Sequence, residues 1–253
     1  MYLDSIKSEI KPRTVDTYLD HGRHISNAYR DVPIDSLNGL QIRGWLNSLP
    51  LSGSQKAKVR HLFRSVVRYA MLSEKTSLQL NPLDLIKLRG TTKRQKKIVV
   101  LTPVEFIRLV RAAKQPYDRV VLLCGFLGLR IGECLALKWS DFDVAAGKVA
   151  IQRSISAGHL TDAKTEASNT ELPVPDSIME LVQQWKSEAI SDESETVREW
   201  LFPSSRSESG ILGYSGIIVQ KVLHPACDAA GIPRIGFHAL RHLYKSWLDV
   251  VAQ

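Results

Sequence analysis

The pair Asn81-Pro82, followed by the polar and basic run Arg89-Gly90-Thr91-Thr92-Lys93-Arg94-Gln95-Lys96-Lys97, constrains the folding of this chain more than any other feature. Proline lacks the amide that a helix interior needs and pushes the preceding residue out of the helical region. The run after it has neither helical nor strand periodicity and reads as a linker. Residues 1–88 are therefore expected to form one domain, 89–97 the linker and 98–253 a second domain. Charge divides the chain in the same way. Residues 1–100 carry 18 Lys and Arg against 8 Asp and Glu, a net +10, whereas residues 101–253 carry 16 against 18, a net −2. So basic a segment seeks a polyanion, of which DNA and RNA come first and an acidic membrane surface second.

Before the break the pattern is helical. Val15, Tyr18, Leu19 and Ile25 predict a helix from Thr14, as N-cap, to about Tyr29, and a short second helix fits Leu40 to Leu49. The third is the clearest: Val59, Leu62, Phe63, Val66, Val67, Ala70 and Met71 form an apolar stripe, and Lys56, Arg60, Arg64 and Arg68 follow beside it at four-residue steps. Those cations are either a solvated helix edge or a row for backbone phosphates, and the basic surroundings favour phosphates. Lys93, Arg94, Lys96 and Lys97 extend the choice to the linker, which is either merely solvated or a strap across a duplex.

Beyond the linker, Thr102-Pro103 with Glu105 predicts a helix start, and Val120 to about Leu137 reads as continuous helix through Arg130 and Glu133. The period then changes. Val149, Ile151 and Ile155, a turn at Ala157-Gly158-His159, a strand around Asp162 to Thr165 and another at Glu171 to Pro175 predict a small sheet. Helices are expected again over Ile178 to Ile190, Ile217 to Ala230 and from about His238. The fold class is mainly α with a small β-sheet, an α+β arrangement.

The longest apolar runs, such as Val120 to Leu127, are too short to span a bilayer, and Asp4, Lys7 and Glu9 exclude a signal-peptide core at the start. The expected location is the cytoplasm, in a bacterial cytosol or nucleoid, with no membrane partner. Cys124, Cys134 and Cys227 are odd in number and lack metal-type spacing, which predicts buried, reduced thiols.

Two basic stretches stand out in the second part: Gly128-Leu129-Arg130-Ile131-Gly132-Glu133 and His238-Ala239-Leu240-Arg241-His242. A planar guanidinium grips two oxygens of a phosphate at once, and two of them fit a phosphodiester whose charge rises during transfer. The bland reading of Arg130 is a surface arginine, but its neighbours are strongly apolar and an unpaired buried arginine is costly. His238 and His242, four residues apart, also fit metal ligands; Arg241 between them repels a cation, so no metal is expected.

These stretches, with Leu135 to Asp143 and with Lys164-Thr165-Glu166-Ala167-Ser168, resemble the successive signatures of the tyrosine recombinase or phage integrase family, in order and in separation. The resemblance runs from about Thr14 to the end. It implies a helical core-binding domain followed by a DNA breaking and rejoining catalytic domain, with double-stranded DNA as partner. By resemblance Arg130 and Arg241 hold the non-bridging oxygens of the scissile phosphate, Lys164 protonates the departing 5′ oxygen, His238 hydrogen-bonds the phosphate or moves a proton, and Glu133 orients the others. Complete relatives cut strands through a 3′-phosphotyrosyl intermediate without metal or nucleotide, which implies no cofactor, and assemble as tetramers on paired sites.

Two departures stand against the pattern. Asn169-Thr170 replaces an arginine that often follows the lysine turn, and only eleven residues follow His242, where the family's nucleophilic tyrosine lies further on. Tyr244 is about 4.5 Å along a helix from Arg241 but out of the family's position, and packing against Trp247 explains it; Tyr117 and Tyr214 match no motif. The expectation is a recombinase truncated at its C-terminus, with no nucleophile of its own, monomeric in solution and unable alone to form the covalent intermediate. The alternatives are a non-catalytic DNA-binding remnant or regulator that keeps the phosphate clamp, and a type IB topoisomerase.

Overall fold

The computed structural model describes residues 2–88, 99–156, 158–162, 170–189, 199–204 and 215–251. The chain divides into two compact units, residues 1–96 and 97–253. It is mainly α-helical with small antiparallel sheets, as the sequence pattern predicts.

The first unit holds α1 (Tyr2–Ile6), α2 (Pro12–Tyr29), α3 (Gly39–Ser48) and α4 (Gly53–Leu72). Helix α2 begins two residues before the expected Thr14, because Pro12 occupies the first turn, where a missing amide is harmless. Asn38 caps α3 by accepting from the amides of Leu40 and Gln41 at 2.8 and 3.3 Å, and Ser52 and Gln55 form a capping box on α4. The α4 stripe is the core: Val59, Leu62, Phe63 and Val67 are buried with Ile42 and Leu46 of α3. Tyr29, Trp45 and Phe63 meet with ring centroids 5.0 to 6.2 Å apart.

Helix α4 already ends at Leu72, so Asn81-Pro82 does not stop it and instead shapes the chain that follows. The Asn81 amide donates to the Arg64 carbonyl at 3.0 Å and its oxygen accepts from the Leu83 N–H at 3.0 Å, which turns Leu83 and Ile86 into the core.

In the second unit, α5 (Pro103–Ala112) starts where Thr102-Pro103 predicts, with a capping box between Thr102 and Glu105. The continuous helix predicted from Val120 to Leu137 is not formed. Helix α6 (Tyr117–Phe126) ends, Gly128 turns the chain at φ +62°, Arg130 is extended, and α7 (Ile131–Leu135) starts anew. A glycine adopts the left-handed conformation that ends a helix at little cost, so the break is local chemistry that the apolar periodicity masked.

Strands β1 (Phe142–Asp143), β2 (Lys148–Ile151) and β5 (Thr170–Pro173) form one antiparallel sheet in the order β1-β2-β5, with Val149 opposite Leu172. Strands β3 (Arg153–Ser156) and β4 (His159–Asp162) form a hairpin. The strand predicted around Asp162 to Thr165 therefore starts earlier, at His159, directly after the turn; residues 163–169 lie outside the described residues.

Helix α8 (Asp176–Glu188) follows. The helix predicted from Ile217 to Ala230 is α9 (Ser215–Ile218), a π turn at Val219–Leu223 and α10 (His224–Ala229). Pro225 lacks an amide and its ring crowds the carbonyl four residues back, Lys221, which a widened turn relieves. Helix α11 (Phe237–Val251) closes the unit, burying Leu240 and Leu243 with Phe106, Leu109, Val120 and Leu123.

Candidate active site

The break between α6 and α7 positions the first arginine. Leu127 and Leu129 are buried on either side of Gly128, and because the backbone is extended at Arg130 the arginine turns away from them, its side chain 54% exposed. Glu133, in the first turn of α7, is 9% exposed and binds it twice. One carboxylate oxygen accepts the Arg130 backbone N–H at 2.8 Å, and the other accepts a guanidinium N–H at 2.6 Å. Arg130 thus lies outside the helix that the sequence pattern assigns it to, yet the i, i+3 spacing still pairs it with Glu133.

The second arginine comes from α11. Arg241 donates from Nη1 to the Gly128 carbonyl at 2.9 Å and lies 3.6 Å from a Glu133 oxygen. One carboxylate therefore faces both guanidinium groups, and the turn that frees Arg130 also anchors Arg241. Helix α7 comes close to the hairpin at Gly132, where an added Cβ would stand 2.4 Å from the Ile155 carbonyl oxygen.

A cleft of about 550 Å³ opens over this arrangement, lined by Arg130, Glu133, His238, Arg241 and His242, with Thr170 and Leu172 of β5 on its wall. The His238 and His242 rings meet edge to face at 4.7 Å, and Nε2 of His242 is buried with no hydrogen-bond partner among the described residues. Arg130, Glu133, His238 and Arg241 are brought together. Lys164 lies outside the described residues, as do Lys93, Arg94, Lys96 and Lys97.

Three of the four cations of the row on α4 have partners within the first unit. Lys56 donates to the Asn47 carbonyl at 2.6 Å, Arg60 donates to the Leu83 carbonyl at 3.1 and 3.3 Å, and Arg64 pairs with Asp84. The Asn47 carbonyl comes from α3, and the Leu83 carbonyl and the Asp84 carboxylate come from the chain returning beside α4 after Asn81-Pro82. Arg68 alone of the four is exposed without such a partner.

The sequence pattern missed two features. Among the described residues Tyr244 forms no ring pair with Trp247, whose ring meets Phe106 and Phe126 at 5.5 and 6.3 Å; it lies over Gly128, where an added Cβ would stand 2.3 Å from its ring. Lys245 lines the cleft. The signal for it was present, since 238, 241 and 245 share a helix face. The three cysteines are buried and unpaired, and burial with Cys124 alongside pushes the Cys134 thiol far up, so it offers no nucleophile. Among the described residues no cluster of three or more His, Cys, Asp or Glu side chains suits a metal ion.

Two guanidiniums that share a carboxylate, with N–H groups left over, a histidine beside them and an open cleft above, form a receptor for a tetrahedral oxyanion. The comparisons agree with the motifs. The phage integrase family model matches residues 99–249. A putative prophage phiRv2 integrase of Mycobacterium tuberculosis is 24% identical over 241 residues, covering 92% of this chain and 62% of the relative. A XerC-like tyrosine recombinase of Caldanaerobacter subterraneus is 23% identical over 274 residues, covering 96% and 68%. Among solved structures, the Tn1549 transposon integrase in complex with transposon right-end DNA matches with a TM-score of 0.79 at 17% identity, over 100% of this chain and 86% of the other. A λ integrase dimer bound to a core site matches at 0.70 and 19%, over 99% and 86%. These two likenesses concern the fold. The chain spans 62% of the length of the mycobacterial relative. With the family model covering more than half of the chain, and the two arginine motifs within the matched span folded onto one cleft, the chain belongs to the phage integrase family.

Proposed function

We propose that this chain binds double-stranded DNA and acts in site-specific strand breaking and rejoining, as the core-binding and catalytic parts of a tyrosine recombinase. Residues 1–88 are the core-binding domain, 89–97 the linker and 98–253 the catalytic domain. The carrying observation is the meeting of Arg130, Glu133, His238 and Arg241 on one cleft. In this reading the scissile phosphate lies between the guanidiniums of Arg130 and Arg241, whose remaining N–H groups bind its non-bridging oxygens as charge builds in the transition state. Glu133 holds both arginines and so acts as a positioning residue.

His238 donates to a phosphate oxygen or takes the proton of the attacking hydroxyl, and Lys164 gives a proton to the departing oxygen. A tyrosine oxygen forms the bond to the 3′ phosphate, the bond to the 5′ oxygen breaks, and a free 5′ hydroxyl leaves. Because one phosphodiester replaces another, rejoining is the same step reversed. The chain is monomeric in the cytoplasm until DNA gathers copies of it.

The test has two arms. The chain is titrated onto duplex DNA across salt, where affinity falls by orders of magnitude between about 50 and 200 mM if many phosphates are contacted. A form of the protein that has a tyrosine supplied in cis or in trans is then given a suicide DNA substrate. Covalent capture that Arg130→Ala suppresses, while binding survives, supports the reading. DNA binding without capture in either form favours a non-catalytic regulator.

A further inference from the structure

Helix α11 turns more than the family motif toward the cleft. His238, Arg241, His242 and Lys245 all line it. Leu240 and Leu243, on the opposite side of the same turns, are buried and fix the helix's rotation, so the direction of Lys245 is set by the core. Lys245 is exposed and has no hydrogen bond or ion pair among the described residues. Asp249, one turn further, is not within ion-pair distance of it, and Glu133, the one carboxylate lining the cleft among the described residues, is engaged by Arg130 and Arg241. Every other lysine or arginine lining the cleft has an internal partner; this one does not.

We propose that Lys245 binds a second backbone phosphate of the DNA strand, adjacent to the one held between Arg130 and Arg241. The assignment rests on the DNA reading above. Four residues of helix carry Lys245 about 6 Å along the axis from Arg241. Successive phosphates of one strand advance about 3.4 Å along a duplex, so a flexible lysine stem spans to the neighbouring position. The chemistry divides in the same way. Paired, planar guanidiniums suit the phosphate whose charge rises, whereas a single mobile ammonium suits one that keeps its charge throughout. Lys245 therefore contributes equally to ground-state and transition-state binding, affecting affinity rather than the rate of the bound complex.

The experiment uses the full chain and a fluorescent random-sequence duplex of about 30 base pairs, with affinity measured from about 50 to 200 mM salt. Lys245→Gln is expected to reduce the slope of log affinity against log salt by about 0.9, which makes the loss across that range roughly three- to fourfold smaller than for the unaltered chain. Lys245→Arg is expected to keep the slope, and both variants to melt with the unaltered chain. An unchanged slope in Lys245→Gln, or an arginine variant as poor as the glutamine one, overturns the assignment. An unaltered chain that binds with a steep slope while Lys245→Gln matches it removes Lys245 only. No binding by the unaltered chain sinks the DNA reading, and this inference with it.

Discussion

The cations of α4 and those of the cleft were read alike from the sequence, as partners for phosphate, and the fold treats them in opposite ways. In the first unit Lys56, Arg60 and Arg64 are satisfied by the Asn47 and Leu83 carbonyls and by Asp84. In the second, Arg130 and Arg241 are gathered by Glu133, and Arg241 also by the Gly128 carbonyl, at the wall of a cleft of about 550 Å³; exposure does not separate the two sets, since Arg64 is 41% exposed against 40% for Arg241. One set ties α4 to α3 and to the chain after Asn81; the other is gathered at a cleft by one carboxylate and the Gly128 carbonyl. Helical spacing says which residues share a face, but what that face meets is decided by chain that arrives from elsewhere.

The sharpest way to break the contrast is Arg241→Ala in a form of the protein that cleaves DNA. The strand-cleavage rate is expected to fall about 10²- to 10³-fold, on the scale of removing one oxyanion donor, with DNA affinity far less affected. Equal losses in rate and affinity, measured on a suicide substrate and by anisotropy, would make the cleft an anchor like any other.

Next in size is Gly128→Ala, which forces a side chain into the left-handed region and against the Tyr244 ring. The strain is about 1–2 kcal/mol and the clash adds to it. Urea melts should show Tyr244→Ala recovering part of the loss, and additive losses would mean that the ring does not cover the turn. Asn81→Ala removes two hydrogen bonds of a buried side chain and is expected to destabilise the first unit by about 1–3 kcal/mol.

Arg60→Gln sharpens the comparison from the other side. If its role is the Leu83 carbonyl, stability falls by about 0.5–1.5 kcal/mol while the salt slope of DNA binding stays as it was; Arg68→Gln should do the reverse. The smallest effect concerns Asp35, whose carboxylate is held below its usual pKa by hydrogen bonds from Thr76 and then Ser77. A depressed carboxylate contributes stability above its unfolded value, near pH 4, and loses it as pH falls through the folded value. Asp35→Asn should flatten that acid limb in melts followed between about pH 5 and 2, and an unaltered limb would show the contacts to be idle.

Much of the architecture was legible. The α4 stripe, the Thr102-Pro103 start and the change of period after Val149 are local signals, because burial repeats with the element's own geometry. The break at Gly128 was present in the sequence, but two apolar runs on either side disguised it as one helix. At the site, the residue types and the pairing of Arg130 with Glu133 were readable because three residues separate them. The bond from Arg241 to the Gly128 carbonyl joins positions more than a hundred residues apart and leaves no local trace.

The order of residues was enough to set where most helices lie, the family and the arginine motifs, since these depend on spacing along one element and on short motifs, though not the breaks at Gly128 and Val219–Leu223. Which cations stay open to a ligand, and that Tyr244 and Lys245 stand at the cleft, followed from folding. Each depends on a packing partner distant in the chain: the turn after Asn81 beneath α4, and the buried leucines that set the rotation of α11. A charge becomes available or engaged according to what the core brings beside it, and that is a property of the packed molecule.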